Sequence, residues 1–151
     1  MKVVLDTDIL STFARIRRLD VLNLSFERII VPRSVISELA RAEIKIGGLN
    51  HEVAKLTREE LLALKGIDAR LGMGERECLV MAKQRGIPLA SSDRLVHAVC
   101  KVEGVGYFTL PRLLRYAISE GMITRQDARE LVKLIEHEER TVIKGKDEIF
   151  K

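Results

Sequence analysis

The chain has 151 residues, of which 46% are hydrophobic and 32% charged, with a net charge of +4 and a pI of about 9.2. This composition fits one globular domain and excludes a disordered chain. No apolar run approaches the roughly 20 residues of a membrane span, and the first residues lack the apolar core of a signal peptide. The cysteines, Cys78 and Cys100, lie in apolar stretches without CxxC spacing. We therefore expect reduced core thiols in a cytoplasmic protein that does not bind membranes.

Short apolar runs alternate with helical patterns along the chain. The runs predict four strands, which are VVLD (3–6), RIIVP (28–32), IPLASSD (87–93) and YFT (107–109). Apolar spacing predicts seven helices, at 9–16, 33–43, 56–64, 75–84, 94–102, 111–120 and 126–139. Strands that alternate with helices indicate the α/β class.

Capping residues support several of the helix ends. Thr57 is a predicted N-cap with Glu60 three residues later, and Thr124 is followed in the same way by Asp127. Gly86 is expected to end the helix that precedes it.

This order of elements predicts a parallel β-sheet flanked by helices on both faces. We expect a single domain over 1–140, followed by a polar tail at 141–151 that frays. The amphipathic helices of 111–139 could form a dimer face or bury the domain's own core. Right-handed crossovers place the carboxyl ends of all strands at one edge of the sheet, where sites form in open α/β folds.

Two acidic residues follow strands at this edge. Asp6 ends the first strand, where it could belong to a site or cap the next helix. Asp8, two residues later, could itself be the cap. Asp93 ends the third strand, with the same two interpretations.

Two glutamates lie on helices. Glu38, in VISELA, lies at the margin of an apolar helix face, so the pattern leaves open whether it faces solvent or a site. Glu75 shares a stripe with Cys78, Leu79 and Ala82 and is therefore expected to point inward. The alternative is a first-turn acid that complements the helix dipole.

Together these carboxylates predict a metal site. Asp6, Glu38, Glu75 and Asp93 would repel one another if they met at the sheet edge, and each would raise the pKa of the others. A divalent cation removes that repulsion, and oxygen ligands favour Mg²⁺ or Mn²⁺. Such ions activate water against phosphodiesters. The scattered histidines make a zinc site a poor alternative, and the chain has neither a GxSxG elbow nor a Walker loop.

The motifs resemble those of a known family. The ordered blocks are VVLDTDIL, VISELA and GERECLVMAKQRGIPLASSD. Over residues 2–120 they are similar to the PIN domain, a family of metal-dependent ribonucleases that includes the VapC-type toxins of toxin–antitoxin pairs. LGMGERECLVMA and GYFTLPRLLRYAISEGMIT are similar to a subgroup with a glycine-flanked Glu, the GxGE motif.

The resemblance implies roles for particular residues. Asp6, Glu38, Glu75 and Asp93 match the family's four acidic ligands. Thr7 and Ser92 fall where the family often places hydroxyls beside the metal. Ser92 replaces one Asp of a frequent pair, and His97 replaces a frequent Arg, so metal and phosphate contacts would be weakened. The resemblance also implies a PIN-like fold, Mg²⁺ or Mn²⁺, cleavage of single-stranded RNA, a homodimer and inhibition by an antitoxin.

The functional hypothesis is a metal-dependent endoribonuclease. Activated water would attack phosphorus in line and leave a 5′-phosphate and a 3′-hydroxyl. Asp8 would add polar support to the site. The basic group Arg15, Arg17 and Arg18 would either steer the RNA strand or form an ordinary solvated helix face.

Two alternatives stay open at this point. DxD after a first strand also resembles haloacid-dehalogenase-type phosphatases, with Asp6 as nucleophile and Asp8 as general acid. That family needs a downstream Lys and a second acidic pair, whereas Asp93 stands alone after its strand. The other alternative is a non-catalytic PIN-like scaffold that binds RNA or protein.

Overall fold

Five short strands form one parallel sheet in the computed structural model, which describes residues 1–151. The strands are β1 (Lys2–Leu5), β2 (Arg28–Pro32), β3 (Glu52–Ala54), β4 (Leu89–Ala90) and β5 (Tyr107–Phe108). Their order in space is β3-β2-β1-β4-β5, and every neighbouring pair is parallel. The α/β class predicted from the sequence is thereby confirmed.

Eight α-helices connect and follow the strands. They are α1 (Thr7–Arg15), α2 (Leu19–Ser25), α3 (Arg33–Arg41), α4 (Arg58–Ala63), α5 (Met73–Arg85), α6 (Arg94–Glu103), α7 (Leu110–Ser119) and α8 (Arg125–Glu139). Short 3₁₀ segments lie at Leu64–Gly66 and Lys146–Phe150. Each predicted helix is present, with ends shifted by up to two residues, while α2 and β3 were not predicted. β3 has only three residues and two of them are exposed, so its sequence lacks an apolar run.

The predicted caps are present. The Thr57 hydroxyl accepts the N–H of Glu60 at 3.1 Å, and the Glu60 carboxylate accepts the N–H of Thr57 at 2.8 Å. Thr124 and Asp127 form the same reciprocal pair. Gly86 ends α5 with a φ of +66°, a left-handed conformation that glycine adopts without strain.

The centre of the sheet is fully buried. Val3, Val4 and Leu5 of β1 are each 0% exposed, because side chains on both faces of this strand are covered. From β1 the chain adds β2 and β3 on one side, then returns to add β4 and β5 on the other. The carboxyl ends of β1 and β4 therefore flank the point where the connections diverge, which is where ligands bind in open parallel sheets.

The C-terminal residues pack onto the domain, whereas the sequence predicted a fraying polar tail. The segment Lys146–Phe150 lies against α7 and α8, and Ile149 is only 2% exposed. The guanidinium groups of Arg125 and Arg129 lie 5.8 and 5.6 Å from the ring centre of Phe150. A few apolar side chains at wide spacing therefore order a segment whose average composition is polar.

Helices α7 and α8 bury their apolar faces within the same domain. Leu113, Leu114, Leu131 and Ile135 are each 0% exposed. Of the two uses predicted for these faces, the structure thus shows burial of the domain's own core. No helix combines the length and apolarity required to cross a membrane.

Candidate active site

Asp6 both caps α1 and lines the candidate site. It follows β1 directly, is 3% exposed, and accepts the N–H of Ile9 at 3.2 Å. Burial raises the pKa of Asp6 well above its usual value, and the hydrogen bond and charge of Asp8 raise it further. Hydrogen bonds from Ser91 and Ile9 act in the opposite direction. No cationic side chain is among the groups that shift the pKa of Asp6, so no positive charge compensates its buried carboxylate.

Asp8 is not the helix cap that the sequence left open. It lies in the first turn of α1, and its carboxylate accepts the N–H of Ser92 at 3.3 Å. This hydrogen bond joins the end of β1 to the loop after β4. Asp8 thus holds together the two strand ends that flank the site.

Glu38, on α3, faces the site rather than bulk solvent. The hydroxyl of Thr7 donates to its Oε2 at 2.5 Å. A Cβ added at Gly74 would lie 2.4 Å from Glu38 Oε1, which is closer than non-bonded atoms approach. A side chain at residue 74 would therefore displace the Glu38 carboxylate from its present position.

Glu75 combines its two predicted roles. Its Oε1 accepts the N–H of Gly72 at 3.0 Å, which closes the first turn of α5. Burial raises the pKa of Glu75, the Gly72 N–H lowers it, and the nearby carboxylates of Asp93 and Asp8 raise it again, so that the net change is upward. Glu75 and Asp93 therefore lie close enough to repel.

Asp93 is the N-cap of α6 and also lines the site. It accepts the N–H groups of Leu95 at 2.7 Å and Val96 at 3.3 Å. Its own N–H donates to the hydroxyl of Ser91 at 3.1 Å. Ser91 is completely buried and also hydrogen-bonds to Asp6. It links the acids that follow β1 and β4, and the sequence did not identify it because nothing distinguishes it locally from Ser92.

One cavity of about 610 Å³ collects these side chains at the carboxyl edge of the sheet. Six carboxylates line it, from Asp6, Asp8, Glu38, Glu75, Asp93 and Glu139. Thr7 and Ser92 also line it, as the sequence predicted. The start of α1, α3, the start of α5 and the start of α6 therefore converge on one cavity, as the sequence led us to expect. The end of α8 is a fifth segment that reaches it.

Glu139 was not predicted. It is the last residue of α8, and its Oε1 accepts a hydrogen bond from the Thr12 hydroxyl of α1 at 2.6 Å. It stands among other acidic residues at the polar C-terminal end of α8, so nothing in the sequence marked it as a site residue. Only the packing of α8 against α1 brings Glu139 to the cavity.

Of the three basic residues predicted to steer RNA, only Arg15 lines the cavity. Arg18 forms an ion pair with Asp20, with Nε 3.0 Å from Oδ1. Arg17 is exposed and has a φ of +58° at the end of α1. The structure therefore places one arginine beside the carboxylates and leaves the other two away from them.

The donor set fits a hard divalent cation. Every charged or polar group that faces the cavity, apart from Arg15, presents oxygen, as Mg²⁺ and Mn²⁺ prefer. Burial raises the pKa values of Asp6 and Glu75, and the neighbouring carboxylates of Asp8 and Asp93 add to this effect. As the side chains stand, no group of three His, Cys, Asp or Glu is arranged to hold an ion. One oxygen of each of the four predicted ligands instead accepts a hydrogen bond from a protein donor.

Comparison with known proteins identifies the class to which this fold and acidic cavity belong. A family model described as the PIN domain matches residues 2–145, so the chain belongs to the PIN domain family. PIN domains are generally nucleases and typically use divalent metal ions. The resemblance found in the sequence motifs is thereby confirmed at the level of the family.

A solved structure shares the fold. It is a PilT N-terminus domain protein from the hyperthermophilic archaeon Sulfolobus solfataricus P2, with a TM-score of 0.53 and 16% sequence identity. The match covers 75% of this chain and 90% of that one. No curated protein matches the chain.

The phosphatase alternative loses its support. A haloacid-dehalogenase-type site needs a lysine beside the nucleophile, and none of the 14 residues that line the cavity is a lysine. Family membership also accounts for the acidic residues without that chemistry.

Proposed function

We propose that the protein is a metal-dependent endoribonuclease that cleaves single-stranded RNA. The observation that carries the proposal is the convergence of Asp6, Glu38, Glu75 and Asp93 on one cavity at the carboxyl edge of the sheet, in a chain of the PIN family. These four side chains would hold Mg²⁺ or Mn²⁺. When bound, the ion supplies activation of water and stabilisation of the charge that develops on the phosphate.

The chain's own residues orient the site. Thr7 fixes one oxygen of Glu38, and Ser91 joins Asp6 to Asp93, so the carboxylates are positioned from both sides of the strand ends. Asp8 adds polar support. Arg15 supplies the one positive charge at the cavity and would bind a non-bridging phosphate oxygen.

The test is cleavage of single-stranded RNA by the pure protein with Mn²⁺ or Mg²⁺ and with EDTA. We expect EDTA to abolish cleavage and Asp6→Asn to lower its rate at least about 100-fold, since asparagine keeps the helix cap but removes the ligand charge. Asp147→Asn, an exposed acid in the last segment, is the matched control and should retain activity. Cleavage that persists in EDTA or in Asp6→Asn would rule out the mechanism.

A narrower proposal concerns biological role. The GxGE motif block supports a VapC-type toxin, with an antitoxin as protein partner and a homodimer as the working form. Both cysteines are free and buried, which suits a reducing cytoplasm. Induced expression in a bacterial host should arrest growth, and Asp6→Asn should not. Unimpaired growth with active wild-type enzyme would contradict the toxin role without touching the nuclease activity.

A further inference from the structure

A second cavity of about 410 Å³ adjoins the acidic one. Ser92 and Glu139 line both cavities, so the two cavities are neighbours. The wall of the second cavity comes from the start of α6, the start of α7 and the segment that follows α8. A strand that crosses the acidic site and continues past Ser92 would therefore reach this second cavity.

The charge of the second cavity is opposite to that of the first. Arg94 and Lys144 line it, together with the hydroxyls of Thr109 and Thr141, and Glu139 at the boundary is its only carboxylate. Arg94 and Lys144 are both exposed, and neither takes part in an ion pair. Two cations beside six carboxylates are thus left free for a ligand.

The two charges at this boundary lie at the unfavourable ends of their helices. Arg94 is the first residue of α6, where the helix dipole disfavours a cation. Glu139 is the last residue of α8, where the dipole disfavours an anion. Charges that oppose local helix preferences are expected where a site requires them.

The cavity wall is held in place before any ligand binds. The His97 ring stacks on Tyr107 with 4.9 Å between ring centres, and its Nε2 lies 2.6 Å from the carbonyl oxygen of Ser91. The N–H of Ile143 donates to Glu136 at 2.8 Å, which fixes the segment that carries Lys144. Binding therefore does not require this segment to become ordered.

We propose that this second cavity binds the phosphodiester backbone of single-stranded RNA next to the linkage that is cleaved, with Arg94 and Lys144 as its phosphate contacts. The inference rests on the proposed nuclease function. Glu139 is common to this phosphate-binding cavity and to the cavity that holds the acidic ligands. Backbone contacts of this kind position the strand without selecting its sequence.

The experiment measures binding separately from cleavage. A short fluorescent single-stranded RNA is titrated in EDTA across a range of KCl concentrations, with wild type and with Arg94→Gln/Lys144→Gln. Arg115→Gln/Lys133→Gln removes two exposed cations that lie outside both cavities and is the matched control. We expect the first double variant to bind RNA about tenfold or more weakly than wild type. The slope of log K against log [KCl] should be smaller in magnitude by about one to two, and the control should match wild type.

Steady-state cleavage with Mn²⁺ then shows whether the double variant changes RNA binding or the chemical step. The double variant at 94 and 144 should raise KM with little change in kcat, because these side chains would bind a neighbouring phosphate equally in the ground state and in the transition state. Unchanged binding and KM in a variant that cleaves normally would overturn the subsite and leave the nuclease standing. Salt-dependent binding that the variant loses, with no cleavage by wild type, would retain the strand-binding cavity and overturn the nuclease.

Discussion

Three acidic residues both stabilise a helix start and line the candidate active site. Asp6, Glu75 and Asp93 each complete a helix start, yet each also lines the acidic cavity. The capping hydrogen bonds offset part of the unfavourable burial of a carboxylate. Capping and site-lining, which the sequence presented as alternatives, are therefore compatible at all three positions.

Gly74 gives a prediction at the scale of one residue. Gly74→Ala should displace the Glu38 carboxylate, because the new Cβ would lie 2.4 Å from its Oε1. We expect RNA cleavage to fall at least about tenfold and the Mn²⁺ affinity to fall with it, as calorimetry would measure. Gly47→Ala is the control, since a Cβ added at this exposed glycine would have no atom within 4 Å and the residue lies outside the acidic cavity. Equal activity in the two variants would contradict the role of Gly74.

At the scale of elements, one ion pair ties α4 to α5. Glu60 is 1% exposed and accepts from Arg85 Nε at 2.8 Å and Nη2 at 3.0 Å. Burial acts to raise the pKa of Glu60, but the hydrogen bonds from Arg85 and Thr57 outweigh it and hold that pKa below its usual value. The pair therefore stabilises the fold when Glu60 is ionised.

Glu60→Gln should lower the free energy of unfolding by about 2–3 kcal/mol at neutral pH. Because folding lowers the pKa of Glu60, its contribution is complete above the unfolded value of about 4.3 and is lost as the pH falls through the folded value. Urea unfolding at several pH values should thus show a difference from wild type that shrinks below about pH 4. Glu59→Gln, one residue earlier and exposed, should change stability by less than about 0.5 kcal/mol. If the difference in unfolding free energy between Glu60→Gln and wild type did not depend on pH, a stabilising role for ionised Glu60 would be refuted.

The C-terminal segment gives a second prediction at this scale. Ile149→Ala should destabilise the protein by about 2–4 kcal/mol, because the side chain is 2% exposed against the domain. Val142→Ala, at a side chain that is 68% exposed, should have almost no effect. Thermal unfolding measures both, and equal melting temperatures would show that the segment does not contribute to the core.

At the scale of the whole molecule, six carboxylates meet at one edge of the sheet in the folded protein, so a cation that binds them should stabilise the fold. Saturating Mn²⁺ should raise the melting temperature by about 5 °C or more, since an ion that binds only the folded state stabilises it. Asp6→Asn should lose most of this shift, and in EDTA it should be at least as stable as wild type. Asp147→Asn should keep the full shift. A Mn²⁺-independent melting temperature in wild type would argue against a metal site.

Local signals predicted most of the elements, and together with the family resemblance they named five of the six acids of the cavity. β1 is a continuous apolar run, Glu75 shares a stripe with buried residues, and Thr57 and Thr124 begin helices. Ser91, Gly74 and Glu139 were not identified as site residues. Each owes its role to a partner distant along the chain, namely Asp6, Glu38 and Thr12 respectively.

The sequence by itself thus determined the α/β class, the alternation of strands and helices, and the carboxylates that follow strands, since hydrophobic periodicity and capping act over a few residues. Only the tertiary structure decided that α8 brings Glu139 to the cavity, that Gly74 lies against the Glu38 carboxylate, and that the last segment packs against α7. Those features depend on which surfaces meet when the core closes, and pairing between distant segments leaves no periodic signal in the chain.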